Sequence, residues 1–455
     1  MAPVLAKLRH ELGVEALADA HARRDLFLLV VSRFIRMLGF GAIAPILVLY
    51  LNLLGFTDRS VGLFLSLTLA GDVALSLVIS WLADSIGRRR FVFYLSRNYV
   101  VLLVAAALGV ISPSGNEVGP FSSVEVGILS QLVEPENRVF VLMHYQVLGF
   151  VGLAVGSLVA GSAISTLDGM ADKSLEECYG YVFLAYGLIA VVKVILSLSL
   201  SEHVELDPRQ AALPQVGPPT ERQPLLRRRP LYGRTASATP HLQVPAAAKV
   251  DVSPPSPTAS DPEVPSSVPL LRLALVVALF SVDSFASSLT PASYVSLYFK
   301  DLYHASIRLI TTVLAGSALG AVVTSLAAGA LAKRIGLVLT MVTTHIPAQL
   351  LTAGMAFAPS LPSVVALYIL RTCISSMDSS IRGALLSAMV PKTSRTRLLG
   401  VVDVARTLAA APGPFVTGRL VEIDAFRWVF VLSGAIKIAY DIALLLALGR
   451  AQLQH

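Results

Sequence analysis

The sequence predicts an all-α membrane protein: twelve transmembrane helices in two pseudo-symmetric six-helix bundles. Three observations predict it. Apolar runs of about 20 residues, enough to cross a bilayer core as a helix, recur along the chain. Charged residues make up only 14% of the sequence, against roughly 25% in an ordinary soluble domain, and they gather in the gaps between runs. A polar stretch over 202–267 divides the runs into two sets of six. With 55% hydrophobic residues and a mean hydropathy of +0.71, the composition excludes a soluble multidomain protein.

The first set of helices is read at 26–51, 60–83, 90–111, 117–133, 139–166 and 179–200. The fourth opens on Ser112-Pro113-Ser114-Gly115-Asn116-Glu117, a polar string that breaks the helix near a membrane face. The segment 202–267 is rich in Pro, Ser and Arg, as in Ser253-Pro254-Pro255-Ser256-Pro257. It holds too little apolar area to fold and reads as a disordered cytoplasmic linker. The second set follows at 268–299, 306–331, 337–358, 361–389, 397–420 and 426–449. The resulting division is an N-terminal segment 1–25, a bundle 26–201, the linker, a bundle 268–450 and a C-terminal tail 451–455. The charged start of the chain lacks the pattern of a cleavable signal, so the first apolar run is expected to direct insertion.

Loop charge sets the sidedness. Basic residues in Ser85–Arg90, Arg138, Lys333-Arg334, Lys392–Arg397 and Arg450 fall on the linker side, which is therefore read as cytoplasmic with both termini. The opposite side carries the acidic stretch Asp168–Glu177. The net charge of +7 resides in these short loops, and no basic soluble domain is present to bind nucleic acid. Two cysteines, Cys178 and Cys373, exclude a disulfide framework or a Cys-rich metal site. No cofactor or metal is expected.

Two loop motifs carry a family likeness. After the second helix stands Ser80-Trp81-Leu82-Ala83-Asp84-Ser85-Ile86-Gly87-Arg88-Arg89-Arg90. Gly87 permits a tight turn, Asp84 can face a helix N-terminus or a basic partner, and the arginines remain in the cytoplasm. After the eighth helix Leu331-Ala332-Lys333-Arg334-Ile335-Gly336 repeats Leu82–Gly87 at four of six positions. A second echo pairs Val133–Arg138 with Val390–Arg395. Such repeats imply two halves related by a pseudo-two-fold axis, with a site between them near the midplane. On these motifs the chain resembles the major facilitator superfamily, with Asp84, Gly87, Arg88 and Arg89 matching its cytoplasmic gating loop. Ser80 and Ser85 depart from the family's glycine and arginine there. The resemblance implies a transporter alternating between inward-open and outward-open states. Ser112–Pro120, Met377-Asp378 with Arg382, and Lys437 with Tyr440-Asp441 are similar to an uncharacterised branch of that family.

Ionisable residues within apolar runs are costly and tend to line a cavity. Arg33, Arg36, Asp72, Arg97, Glu117 and Glu125 stand in the first set, and Asp283, Arg371, Asp378, Arg382, Asp403, Arg406, Lys437 and Asp441 in the second. Helical spacing allows the pairs Asp378–Arg382, Asp403–Arg406 and Lys437–Asp441, read first as structural clamps. The candidate substrate or proton pathway is Arg33, Arg36, Glu117, Glu125, Asp283, Arg371, Asp378 and Arg382. Glu117 and Asp283 are the candidates for a coupling carboxylate, and Arg33, Arg36 and Arg371 suit an anionic solute. His144 and His345 are expected to be hydrogen-bonded packing residues. Gly149, Gly152, Gly156 and Gly161 in the fifth helix allow close helix approach. The absence of a Gly-Pro pair there argues against multidrug efflux.

The expected function is secondary active transport of a small solute by a monomer in the lipid bilayer, with protons as the coupling ion. The chain has no P-loop of its own, and no convergent catalytic set suggests an enzyme. The alternative is a non-transporting sensor or receptor, or a lipid scramblase, on the same fold. Within the linker Glu221-Arg222-Gln223-Pro224-Leu225-Leu226 fits an acidic dileucine sorting signal, with Glu221, Leu225 and Leu226 as its residues. In a eukaryote it would engage sorting adaptors and direct the protein to the vacuole or lysosome, the plasma membrane being the alternative.

Overall fold

A computed structural model describes residues 20–86, 125, 128–129, 138–170, 173–201, 270–389 and 395–452. The expected helices 90–111 and most of 117–133, the linker with its sorting signal, Gly87, Arg88, Arg89, Arg97 and Glu117 lie outside the described residues.

The described elements are helical, with no strand among them. In chain order they are α1 (Ala20–Ile43), α2 (Leu47–Leu53), α3 (Asp58–Ile86), α4 (Arg138–Asp168), α5 (Leu175–Leu198), α6 (Leu270–Ser288) and α7 (Ala292–Tyr303). The second half continues with α8 (Ile307–Ile335), α9 (Leu337–Gly354), α10 (Leu361–Met389), α11 (Arg395–Ala410), α12 (Gly413–Glu422) and α13 (Phe426–Gln452). Six stretches among the described residues are long and apolar enough to cross a membrane. Helix α5 shows why this surface needs lipid: Leu184, Leu188, Val191 and Ile195 are all exposed.

Three runs expected to be single helices are each broken near one end. The run 26–51 divides at Ala44-Pro45, the run 268–299 at Thr290-Pro291, and the run 397–420 at Ala411-Pro412. Proline has no amide proton for the helix and disfavours helical backbone in the residue before it. The first two breaks fall in the first helix of each half, a third echo between the halves.

The turn between α8 and α9 is a single residue, Gly336, at φ 83° and ψ 165°. A side chain is strained at that backbone conformation, which explains why the faded loop motif keeps its glycine. Two helices start on polar side chains. Ser174 and Glu177 form a capping box on α5, and Ser306 accepts from the Leu309 amide on α8.

Within the first half α1 lies directly on α4. A Cβ on Gly156 would sit 2.0 Å from the Leu38 carbonyl oxygen, and one on Gly152 2.5 Å from that of Phe34. The glycines of the fifth expected helix thus admit the backbone of the first, as their spacing suggests. Across the halves α4 packs on α8, and α3 packs on α11 and α12.

The apolar core has a polarity of its own. At the end of the bundle away from Asp84, one cluster joins both halves: Ile43, Leu47, Leu65, Ile164 and Tyr179 pack with Leu289, Tyr298, Ile310 and Phe430. At the opposite end the described clusters stay within a half. Leu26, Leu29, Val141 and Tyr145 form one, and Val276, Phe280, Met341 and Leu444 another. A smaller cluster, Ala154 with Ala315 and Ala318, also joins the halves midway along α4, so the described inter-half core, a seam between the halves, runs from one end to about the middle of the bundle.

Candidate functional site

Each half buries a cluster of ionisable side chains. In the first half Arg33 and Arg36, a turn apart on α1, meet Glu125, Tyr145 and Gln146 of α4, and Lys193 of α5. Arg36 Nη2 lies 2.8 Å from Glu125 Oε2 and 3.1 Å from the Tyr145 hydroxyl, which itself donates to Glu125. Lys193 Nζ is 3.8 Å from Glu125 Oε1, and Ser32 donates to the same oxygen at 3.4 Å. Arg33 donates to Gln146 Oε1 at 2.6 Å, and its guanidinium lies 4.6 Å over the Tyr145 ring. Gly149 makes room for it, since a Cβ there would sit 2.7 Å from Arg33 Nε. One carboxylate therefore receives cations from α1 and α5. A carboxylate so placed is held by charge-assisted bonds, roughly twice as strong as neutral ones.

Tyr145→Phe removes a hydroxyl that bridges Arg36 and Glu125 while keeping the ring under Arg33. We expect a loss of about 2 kcal/mol of stability, read as an earlier thermal transition of the solubilised protein. An unchanged transition would show that the bridge contributes nothing.

In the second half the centre is Asp283 on α6, which is wholly buried. Lys437 of α13 donates to its Oδ1 at 3.0 Å, and Arg382 of α10 approaches its Oδ2 at 2.8 Å. His345 of α9 places Nε2 3.8 Å from Asp283 Oδ1, and Nδ1 2.9 Å from both oxygens of Asp441. Toward an ionised Asp441, which only accepts, Nδ1 is the nitrogen that would donate. Four helices are tied together through two carboxylates, two cations and one imidazole.

The structure brings Arg36 to Glu125 and Arg382 to Asp283, and sets Arg33 beside the first pair. Arg371 stands apart. It donates to Thr352 Oγ1 at 3.0 Å and lies 5.8 Å from the Tyr368 ring centroid, about 16 Å along α10 from Arg382. Asp84 falls on α3 and Asp378 on α10; their side chains, like Glu117, are outside the description. The expected pair Lys437–Asp441 is not the one formed. Lys437 turns to Asp283 and Asp441 to His345, because both find buried partners on neighbouring helices. The pair Asp403–Arg406 is present at 3.6 Å, with Arg406 also donating to Ser284. Tyr145, Gln146, Lys193 and His345 were not among the expected site residues. Each is a polar side chain inside an apolar run, and that was the available signal.

At the seam the amide of Phe415, in the first turn of α12, donates to Ser66 Oγ of α3 at 2.9 Å. A side chain of one half thereby caps a helix of the other.

Residues 29–239 and 273–453 match the family model described as Major Facilitator Superfamily. The uncharacterized membrane protein YJR124C of Saccharomyces cerevisiae is 29% identical over 445 residues, covering 93% of this chain and 94% of its own. Among solved structures, a bacterial homolog of the human lysosomal transporter Spinster, in an inward-facing and unoccupied conformation, aligns with a TM-score of 0.58 at 13% identity. That alignment covers 94% of this chain and 97% of the other. The nucleoside transporter NupG aligns at 0.60 and 13%, over 93% and 98% of the two chains. The D-xylose–proton symporter also reaches 0.60 and 13%, over 92% and 96%. At such identities these structures share the fold.

Proposed function

This chain belongs to the major facilitator superfamily, and from that premise we propose that it moves a small solute across its membrane by alternating access, coupled to protons. The observation that carries the reading is the one-ended core. Two half-bundles whose shared core lies at one end, while the described clusters at the other stay within a half, fit one state of a two-state cycle. With the Asp84 end cytoplasmic by its loop charge, this is the state open to the cytoplasm. Similarity to a proton symporter and other transporters supports the reading. The buried clusters at Glu125 and Asp283 fit it too: they brace each half internally, so that each can move as a body. An anionic solute would have to compete with Glu125 and Gln146 for Arg36 and Arg33. The dileucine string of the linker supports a vacuolar or lysosomal membrane.

The test is uptake into proteoliposomes holding the purified protein, screened over a broad solute panel with and without an imposed pH gradient. We expect gradient-dependent accumulation of at least one solute, abolished by a protonophore. No flux for any solute from correctly inserted protein would overturn transport and favour a sensor or a scramblase.

A further inference from the structure

One buried carboxylate belongs to neither cluster. Asp72, on α3, is 3% exposed, and neither of its carboxyl oxygens has a hydrogen-bond partner among the described residues. It shares a face with Val61, Leu65 and Thr68, at helical spacings of four, three and four. Val61 and Leu65 belong to the core that joins the two halves, whereas Leu63, Phe64 and Leu67 are exposed. Asp72 therefore continues the inter-half face, about 10 Å along the axis beyond Leu65, toward the end where the described clusters stay within a half.

Among the described side chains, the charged groups on the elements packed against α3 are otherwise occupied; Arg395 and Arg397 of α11 lie outside them. On α11 Asp403 and Arg406 pair with each other, and Arg406 also bonds Ser284. On α12 Arg419 bonds Glu422. Helix α2 carries no charge, and Asp58 and Arg59 lie at the far start of α3 itself. None of these bonds either carboxyl oxygen of Asp72. An ionised carboxylate cannot be left in such a place, because an unpaired buried charge costs many kcal/mol and neutralises instead. Thr68 offers no relief, since its hydroxyl donates to the Phe64 carbonyl at 2.8 Å. A hard metal ion would need about six oxygens, and no metal-holding group of side chains occurs among the described residues.

We propose that Asp72 binds the coupling proton, holding it while the seam is closed and releasing it to water when the seam opens. The inference rests on the transporter reading and deepens it. The step balances as a simple transfer: the carboxyl O–H breaks, the proton goes to water on the newly opened side, and the carboxylate is left hydrated. Reprotonation allows the seam to close again. The closed-seam state binds more protons, so acid favours it and alkali favours the opened state.

The full-length protein in liposomes supplies two readouts that need no solute. Infrared difference spectra between acidic and alkaline buffer report a protonated carboxyl group. Spin labels at Leu53→Cys and Ile423→Cys, both exposed at the seam end, report its opening when the native cysteines are replaced. We expect a protonated-carboxyl band that disappears in alkali as the label distance lengthens. Asp72→Asn should lack the band and show no distance response to pH. Asp72→Glu should keep both, with the band shifted in frequency. A band and response unaltered in Asp72→Asn would overturn the proposal. Should that variant fail to fold, an unshifted band in Asp72→Glu would do so instead. A response that follows sodium rather than pH would also overturn it. Because neither readout depends on flux, absence of transport would count against the transporter reading without touching the assignment of Asp72.

Discussion

Replacing Asp283 by asparagine is expected to destabilise the second half-bundle more than any other single change within it. The substitution keeps the shape and deletes the anion that Lys437 and Arg382 both approach, at 3.0 and 2.8 Å. Breaking a buried ion pair by removing one partner costs about 3–5 kcal/mol, because the remaining charge stays buried without compensation. Here Lys437, 6% exposed, loses the carboxylate it donates to. Lys437→Met should be the milder change, since it leaves Asp283 facing Arg382. Thermal unfolding of the solubilised variants checks the order, with Asp283→Asn melting first and Asp283→Asn/Lys437→Met partly recovered. Equal transitions for all three would show that the cluster adds nothing to stability, and with it would fall the role of brace assigned here.

The second large effect is expected at Gly161. This residue of α4 faces Thr311 of α8 across the seam, and a Cβ on it would lie 1.8 Å from Thr311 Oγ1 and 2.7 Å from Thr311 Cβ. Gly161→Val therefore cannot coexist with the seam as packed. Overpacking a tight contact costs about 1–3 kcal/mol or more, and each 1.4 kcal/mol is a tenfold shift in population. We expect the variant to abandon the closed-seam state and to lose uptake by at least about tenfold, while remaining folded because each half keeps its own core. Thr311→Gly in the same chain should restore part of the uptake. Full activity of Gly161→Val alone would mean that closing this seam is no part of the cycle.

Much of the architecture was legible because membrane spans announce themselves. Length and apolarity located the described helices to within a few residues at most ends, and loop glycines marked turns such as Gly336. The breaks at Pro45, Pro291 and Pro412 were missed although the prolines stood in plain sight. A window long enough to find a span averages over a local interruption near its end. The candidate site was legible as residues but not as partnerships. Buried charge in an apolar run flags Arg36, Glu125, Asp283 and Arg382 without saying which meets which. Spacing along one helix suggested Lys437 with Asp441, yet neighbouring helices supplied Asp283 and His345, and only packing brings those together. Asp72 carried the same signal as the others; what distinguishes it is the absence of a partner among the described residues, which no sequence displays.

The three proline breaks have a mechanical consequence. The pieces they cut off, α2, α7 and α12, are 7, 12 and 10 residues long, and all three border the core that joins the halves. Helices so short are marginal on their own and draw their stability from packing. By contrast α3, α8 and α10, each of 29 residues, pass through that core unbroken. The sealed end thus combines three jointed spans with others that run straight through it, like a clasp whose jaws carry joints at the tips.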